Sequence, residues 1–144
     1  MSNWDAVARP IPVPSDLTRP YWEAAKHEVL VFQHCQSCGQ RQHPPYPICT
    51  NCMSPDIKFE PVSGKGTIYA VSIMSHAGDQ RFAPVLPYAC IVVELDEAKG
   101  ALIIGNLPDV PYTEARMGRR VEVVFEKLND DITLPQWRLA KELS

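Results

Sequence analysis

The rhythm of apolar and polar positions changes three times along this chain. Over the first twenty residues apolar side chains follow no period, and four of the fourteen prolines fall there (Pro10, Pro12, Pro14 and Pro20). Fixed φ angles and missing N–H donors keep such a stretch extended and unable to build a core alone, so an arm or linker is expected, with residues 1–16 ordering only on a partner. In "TRPYWEAAKHE", Tyr21, Trp22, Ala25 and Val29 recur at helical spacing, and Pro20 suits a first turn. This predicts a short helix from Arg19 to His27. "EVLVFQH" then sets Val29, Val31 and His34 against Leu30 and Phe32, the alternation of a half-buried strand running into Cys35.

From Gly64 onward five segments rich in Val, Ile and Tyr alternate with turn residues: "GTIYAVSIM", "PYACIVVEL", "ALIIGNL", "RRVEVVFEKL" and "PQWRLA". Between the third and fourth, "TEARMG" is long enough for a helical turn. Five short strands with one irregular insertion predict a small closed barrel of the OB type, in which closure removes exposed edges; a five-stranded sandwich is the competing arrangement. The pattern divides the chain into an arm and helix (residues 1–28), a cysteine-bearing ribbon (29–60) and the β domain (61–144).

The cysteines sharpen this picture. Cys35-x-x-Cys38 and Cys49-x-x-Cys52 stand ten residues apart and supply four thiolates, the number that a closed tetrahedral structural zinc site needs. Iron would satisfy the same four sulfurs. Gly39 allows one knuckle a positive φ, whereas Met53 stands at the equivalent place in the second. A full sulfur shell leaves His34 and His43 outside it, and the absence of a βαβ context argues against a redox pair. Because such a shell has no open position, the metal is expected to support folding and to do no chemistry.

Charge and composition narrow the function classes. A net charge of −3 speaks against a general nucleic-acid binder, whose affinity rests on Lys and Arg neutralising phosphates. No apolar run approaches the ~20 residues needed to cross a bilayer, and the start of the chain does not resemble a leader, so a cytoplasmic protein is expected. The sequence has no phosphate loop, nucleophile elbow or metalloprotease helix. Cys90 lies in an apolar run and reads as a small buried hydrophobe. His76 stands in a loop with Asp79 and Arg81, where ligand contacts collect on barrels, although a solvated loop histidine is the ordinary outcome. Arg116, Arg119 and Arg120 form a basic concentration suited to a phosphorylated ligand, or equally to a solvated face among Glu114, Glu122 and Glu126.

Taken together, "PYWEAAKHEVLVFQHC", the knuckles "CQSCGQRQHPP" and "ICTNC", and then "VSGKGTIYAVSIM", "PYACIVVELDE", "LIIGNL" and "MGRRVEVVFEKL" resemble the family of small acyl-CoA-associated proteins. These join a rubredoxin-like zinc ribbon to an OB-fold. The resemblance covers residues 17–140 and implies a mainly β protein with an N-terminal helix, a zinc ribbon and a five-stranded OB-fold barrel. It further implies a non-catalytic accessory subunit beside a thiolase-fold enzyme (thiolase, hydroxymethylglutaryl-CoA synthase, acyltransferase or retro-aldolase) in lipid metabolism. There the OB domain would wall the path of an acyl-CoA ester, and the helix and ribbon would dock. On that reading Tyr21 and Trp22 meet the partner chain, and Arg81, Arg116, Arg119 or Arg120, with His76 nearby, holds the CoA ester. A nucleic-acid-binding ribbon and OB module is the alternative. Thr50 and Met53 depart from the proline and glycine frequent in the second knuckle.

Overall fold

The computed structural model describes residues 3–141, and the first two and last three residues of the arm and β domain lie outside it. Helix α1 spans Arg19–Lys26, with Pro20 in its first turn and Tyr21 and Ala25 buried. Ahead of it Ser15 and Thr18 exchange hydrogen bonds, Ser15 N–H to Thr18 Oγ1 at 2.9 Å and Thr18 N–H to Ser15 Oγ at 3.2 Å. These satisfy donors that an unsupported helix start would leave open. The helix stops at His27, after which Glu28 takes a φ of 59°.

A three-stranded antiparallel sheet follows, ordered β2-β1-β3, from β1 (Val31–Cys35), β2 (Arg41–Gln42) and β3 (Ile57–Pro61). The alternation expected of a half-buried strand does not hold in β1. Val31 and Phe32 are both buried, although successive side chains point to opposite faces. The strand is central in its sheet, and its apolar residues join Tyr21 of α1 and the second sheet in one core.

The second sheet contains the five predicted strands: β4 (Lys65–Met74), β5 (Tyr88–Leu95), β6 (Leu102–Asn106), β7 (Arg120–Lys127) and β8 (Thr133–Leu139). All pairs are antiparallel, in the order β6-β5-β4-β7-β8. Alternate residues Ala89, Ile91, Val93 and Leu95 of β5 face the core with Ile68, Val121 and Trp137. The expected closed barrel needs correction, because the hydrogen-bonded ladder remains open between β6 and β8. Side chains bridge that seam instead. Asn106 N–H donates to Gln136 Oε1 at 2.8 Å, and Gly105 lies so close to the Trp137 indole that a Cβ there would sit 2.6 Å from Cδ1. The helical turn expected in "TEARMG" is a 3₁₀ turn at Tyr112–Glu114, overlapping its start, and another 3₁₀ turn, not expected, spans Gln80–Val85 in the β4–β5 loop.

The arm also departs from expectation. It does not wait for a partner, since Trp4 and Val7 are buried against Val85, Phe82 and Tyr88. Its prolines Pro10, Pro12 and Pro14 follow this anchored stretch in a segment without helix or strand. Among the described residues, no helix is long and apolar enough to cross a membrane.

The seam gives a direct test. Substituting Gly105→Ala drives a methyl into Trp137 and should lower unfolding free energy by about 1–3 kcal/mol in denaturant titration. A change within error would show that the seam has slack.

Candidate metal centre and surface

The two knuckles rise at the open end of the three-stranded sheet. Cys35 ends β1, and the Gly39 N–H returns to its carbonyl at 2.9 Å, with Gly39 at a φ of 80°. In the second knuckle the Met53 N–H returns to the Cys49 carbonyl at 3.0 Å, and Met53 holds a φ of 64°. The turn is therefore the same, but a residue with a side chain bears the left-handed conformation, which costs about 1–2 kcal/mol.

The loop between the knuckles is organised by two buried glutamines that pattern reading missed. Gln42 Nε2 donates to Gln33 Oε1 at 2.8 Å and to the Ile48 carbonyl at 3.1 Å, while Gln42 Oε1 accepts from Thr50 N–H at 2.9 Å. Gln33 Nε2 donates to the Tyr46 carbonyl at 2.9 Å, and Gln33 Oε1 accepts from Tyr46 N–H at 2.8 Å. Buried amides are stable only when paired in this way. Sequence alone gave no period or motif that marks them.

The result is a compact sulfur cage. Cys35, Cys38, Cys49 and Cys52 place their sulfurs within 4.8 Å of one another, and Cys35–Cys52 and Cys38–Cys49 lie 3.6 Å apart. Zinc–sulfur bonds of about 2.3 Å at tetrahedral angles put sulfurs about 3.8 Å apart, so the donor set fits such an ion. The charges agree with this. Backbone N–H at Gln40 and the Asn51 amide draw the Cys38 thiol down to about 6. The Cys52 thiol is pushed up to about 12: a backbone N–H from Ser54 works against the rise, but desolvation and the other three sulfurs outweigh it. Four thiolates this close need a cation among them.

The histidines stand outside the cage. His34 Nδ1 pairs with Glu60 Oε2, whose carboxyl this contact lowers. The His43 ring stacks on Phe32 at 4.6 Å, and burial lowers its pKa to about 4, so it is neutral near pH 7.

The expected ligand residues do not form one site. Arg116, Arg119 and Arg120 line a recess of about 590 Å³ with Lys141. Arg119 pairs with Glu114 at 2.8 Å and Arg120 with Asp96 at 2.6 Å, each of this second pair stabilising the other's charge. Arg116 is more open, its nearest carboxylate being Glu114 at 3.8 Å. His76 and Arg81 lie past the other end of β4, where His76 is exposed and Arg81 is clamped to Asp79. That clamp, with the Arg81 N–H, lowers the Asp79 carboxyl to about 2. Cys90 is half-buried on the outer face of β5, and burial raises its pKa.

Of the two expected docking aromatics, Tyr21 belongs to the chain's own core, and burial raises its hydroxyl pKa. Trp22 is only partly buried. It borders a groove of about 350 Å³ formed with His43, Pro44, Pro45, Leu102 and Ile104. The groove continues onto the outer face of β4, β5 and β6, where Ala70, Val92 and Ile104 pair in one cross-strand row. Ile104 is 67% exposed.

A sulfur cage on a ribbon that shares its core with a five-stranded OB-type sheet defines a class of zinc-ribbon and OB-fold proteins. Two family models match in register with this architecture: "ChsH2, rubredoxin-like zinc ribbon domain" over residues 22–57 and "ChsH2, C-terminal OB-fold domain" over 59–126. A "DUF35 domain-containing scaffold protein" of Pyrococcus furiosus is 30% identical over 111 residues, covering 76% of this chain and 79% of its own. The chain belongs to the DUF35 family, which joins a zinc ribbon to an OB-fold domain. It is also 32% identical over 120 residues to a "Probable enoyl-CoA hydratase alpha subunit" of Thermomonospora curvata, covering 83% of this chain but 36% of that one. It therefore spans little more than a third of that relative's length. Among solved structures, "Ltp2-ChsH2(DUF35) aldolase" superposes with a TM-score of 0.78 at 29% identity, covering 90% of this chain and 98% of that one.

Two outcomes check the cage. The purified chain should carry one equivalent of zinc by elemental analysis, and Cys38→Ser should lose it. Met53→Gly should raise stability by about 1 kcal/mol, because it relieves the left-handed residue while removing a side chain that is 72% exposed. A loss of stability there would mean the Met53 side chain contributes contacts of its own.

Proposed function

We infer that this protein is a non-catalytic accessory subunit that docks on a thiolase-fold enzyme and helps it receive an acyl-CoA ester. The observation that carries the reading is the likeness, across nearly all of its length, to the ChsH2 DUF35 chain of an aldolase assembly. The surface agrees with it. The outer face of β5 and β6 presents Cys90, Val92, Leu102, Ile104 and Asn106 and no Lys or Arg. Single-strand binders need cations and stacking rings on such a face. A face without cations, whose one carboxylate, Glu94, stands at its far end opposite Leu102, suits burial against another protein beside an apolar groove.

In this reading residues 29–60 carry a structural zinc ion, which supplies folding free energy and no chemistry. The helix within residues 1–28 contributes Trp22 to the docking face. Residues 61–144 wall the path of the ester, with Arg116 and Lys141 receiving its phosphates, since Arg119 and Arg120 already serve carboxylates. A cage of thiols suits a reducing compartment, which supports a cytoplasmic location.

Co-purification tests this directly. Tagged protein from its native host should bring down a thiolase-fold enzyme, and Ile104→Asp should abolish the association by burying a charge. In the purified complex, Arg116→Ala should raise KM for the CoA ester roughly tenfold with kcat nearly unchanged. Turnover of CoA esters by the isolated chain, or no thiolase-fold enzyme in the captured complex, would contradict the reading.

A further inference from the structure

Residues 3–9 lie outside both family models and pack as a unit on the end of the five-stranded sheet. Trp4 enters edge-on between two rings of the β4–β5 loop region, its centroid 5.0 Å from Tyr88 and 6.4 Å from Phe82. It closes over a cavity of about 170 Å³ lined with Val85, Leu107 and Tyr112. Five residues on, the Arg9 guanidinium forms a two-pronged pair with Glu126 at the end of β7, with only 11% of the Arg9 side chain exposed. The Arg9 guanidinium carbon also lies 5.5 Å from the Trp4 ring. Between these anchors, Arg81 Nη1 donates to the Ala8 carbonyl at 3.5 Å. The segment thus bridges the β4–β5 loop and the end of the strand that leads into the β7–β8 turn, the two loops with which OB-folds hold extended ligands.

Three features make this resemble a bound peptide more than a fold element. Its apolar cluster of Trp4, Val7, Val85, Phe82 and Tyr88 is separate from the main core. A large aromatic and an arginine in a two-pronged pair are the side chains that anchor protein interfaces. The stretch joining it to α1 is proline-rich and open, with Val13 90% exposed, so the tether can swing without disturbing the core.

We propose that the loop end of the sheet is a peptide-recognition cleft, with residues 4–9 its resident and exchangeable ligand. The class of ligand is an extended segment carrying a large aromatic side chain and, five residues later, an arginine. Tyr88, Phe82 and Val85 take the ring, and Glu126 takes the guanidinium. When the arm leaves, the same cleft receives such a segment from a second chain. The tethered arm competes at an effective concentration in the millimolar range, so the site is closed in the free protein.

The test supplies the segment in trans. A labelled synthetic peptide of residues 1–12 is titrated, by fluorescence anisotropy, into the full chain and into a full-length Trp4→Ala/Arg9→Ala variant. The variant should bind it saturably and roughly tenfold or more tightly than the intact chain, whose own arm holds the cleft. Peptides carrying Trp4→Ala or Arg9→Ala should bind on the order of tenfold more weakly. No saturable binding to a folded variant, or equal binding by both chains, overturns the proposal. A second measurement on the unaltered protein covers a variant that fails to fold. The Val7 and Arg9 amides, bonded to the Trp4 and Val7 carbonyls, should exchange hydrogen about a hundredfold or more faster than those of Ile91 and Val93. Exchange of the arm only together with β5 would show it to be a fixed part of the fold.

Discussion

Strand β1 serves two structures at once, and the rest of the molecule depends on that. Within five residues it sends Val31 and Phe32 into the core shared with the five-stranded sheet and Cys35 into the sulfur cage. Position along the strand therefore links the two: a shift of one residue would invert every side chain and take both the cysteine and the core residues from their places. Two further ties act at the same junction. Arg41 Nη1 donates to the Glu97 carbonyl at 3.1 Å, and the Glu97 carboxylate accepts from both the Ser63 N–H and hydroxyl. The ribbon is therefore an extension of the β domain's core and not a bead on a linker.

Much of this was legible in the sequence, for identifiable reasons. The five strands of the β domain follow from runs of Val, Ile and Tyr bounded by turn residues, and each appears within a residue or two of its expected span. Helix α1 follows from Pro20 and an apolar face of Tyr21 and Ala25. The cage follows from four cysteines in two short pairs. These are signals of period, punctuation and ligand chemistry, which are local. What stayed hidden was set by contacts between distant segments. Gln33 and Gln42 read as ordinary polar residues until the fold buries them against each other and the 46–50 loop. Trp4 precedes the proline-rich stretch and has no periodic neighbours, yet it finds Phe82 and Tyr88 about eighty residues away. Arg81 was offered beside Arg116, Arg119 and Arg120 as a contact for one ligand, but β4 keeps Arg81 at the opposite end from Arg120. The seam at Gly105 and Trp137, closed by side chains and not by a ladder, could not be told from a closed barrel by strand count alone.

These features divide the surface by chemistry. The metal end is held by amides and sulfurs and exposes Tyr46, Ile48 and Met53 among polar residues. The groove beside Trp22 and the adjoining part of the β5–β6 face around Val92 and Ile104 are mainly apolar, a composition suited to burial against another chain. The recess of Arg116 and Lys141 is the cationic part. The four cysteines of the cage are matched to an ion that would occupy them fully.

The central claim is that the cage and the β core form one cooperative unit through β1. Native-state hydrogen exchange of Ile91 and Val93, residues of β5 remote in sequence from every cysteine, measures it most directly when zinc is titrated into the reduced, metal-free chain. The account predicts that their protection rises steeply and saturates at one equivalent of zinc. Protection of β5 that is the same with and without the metal would contradict it.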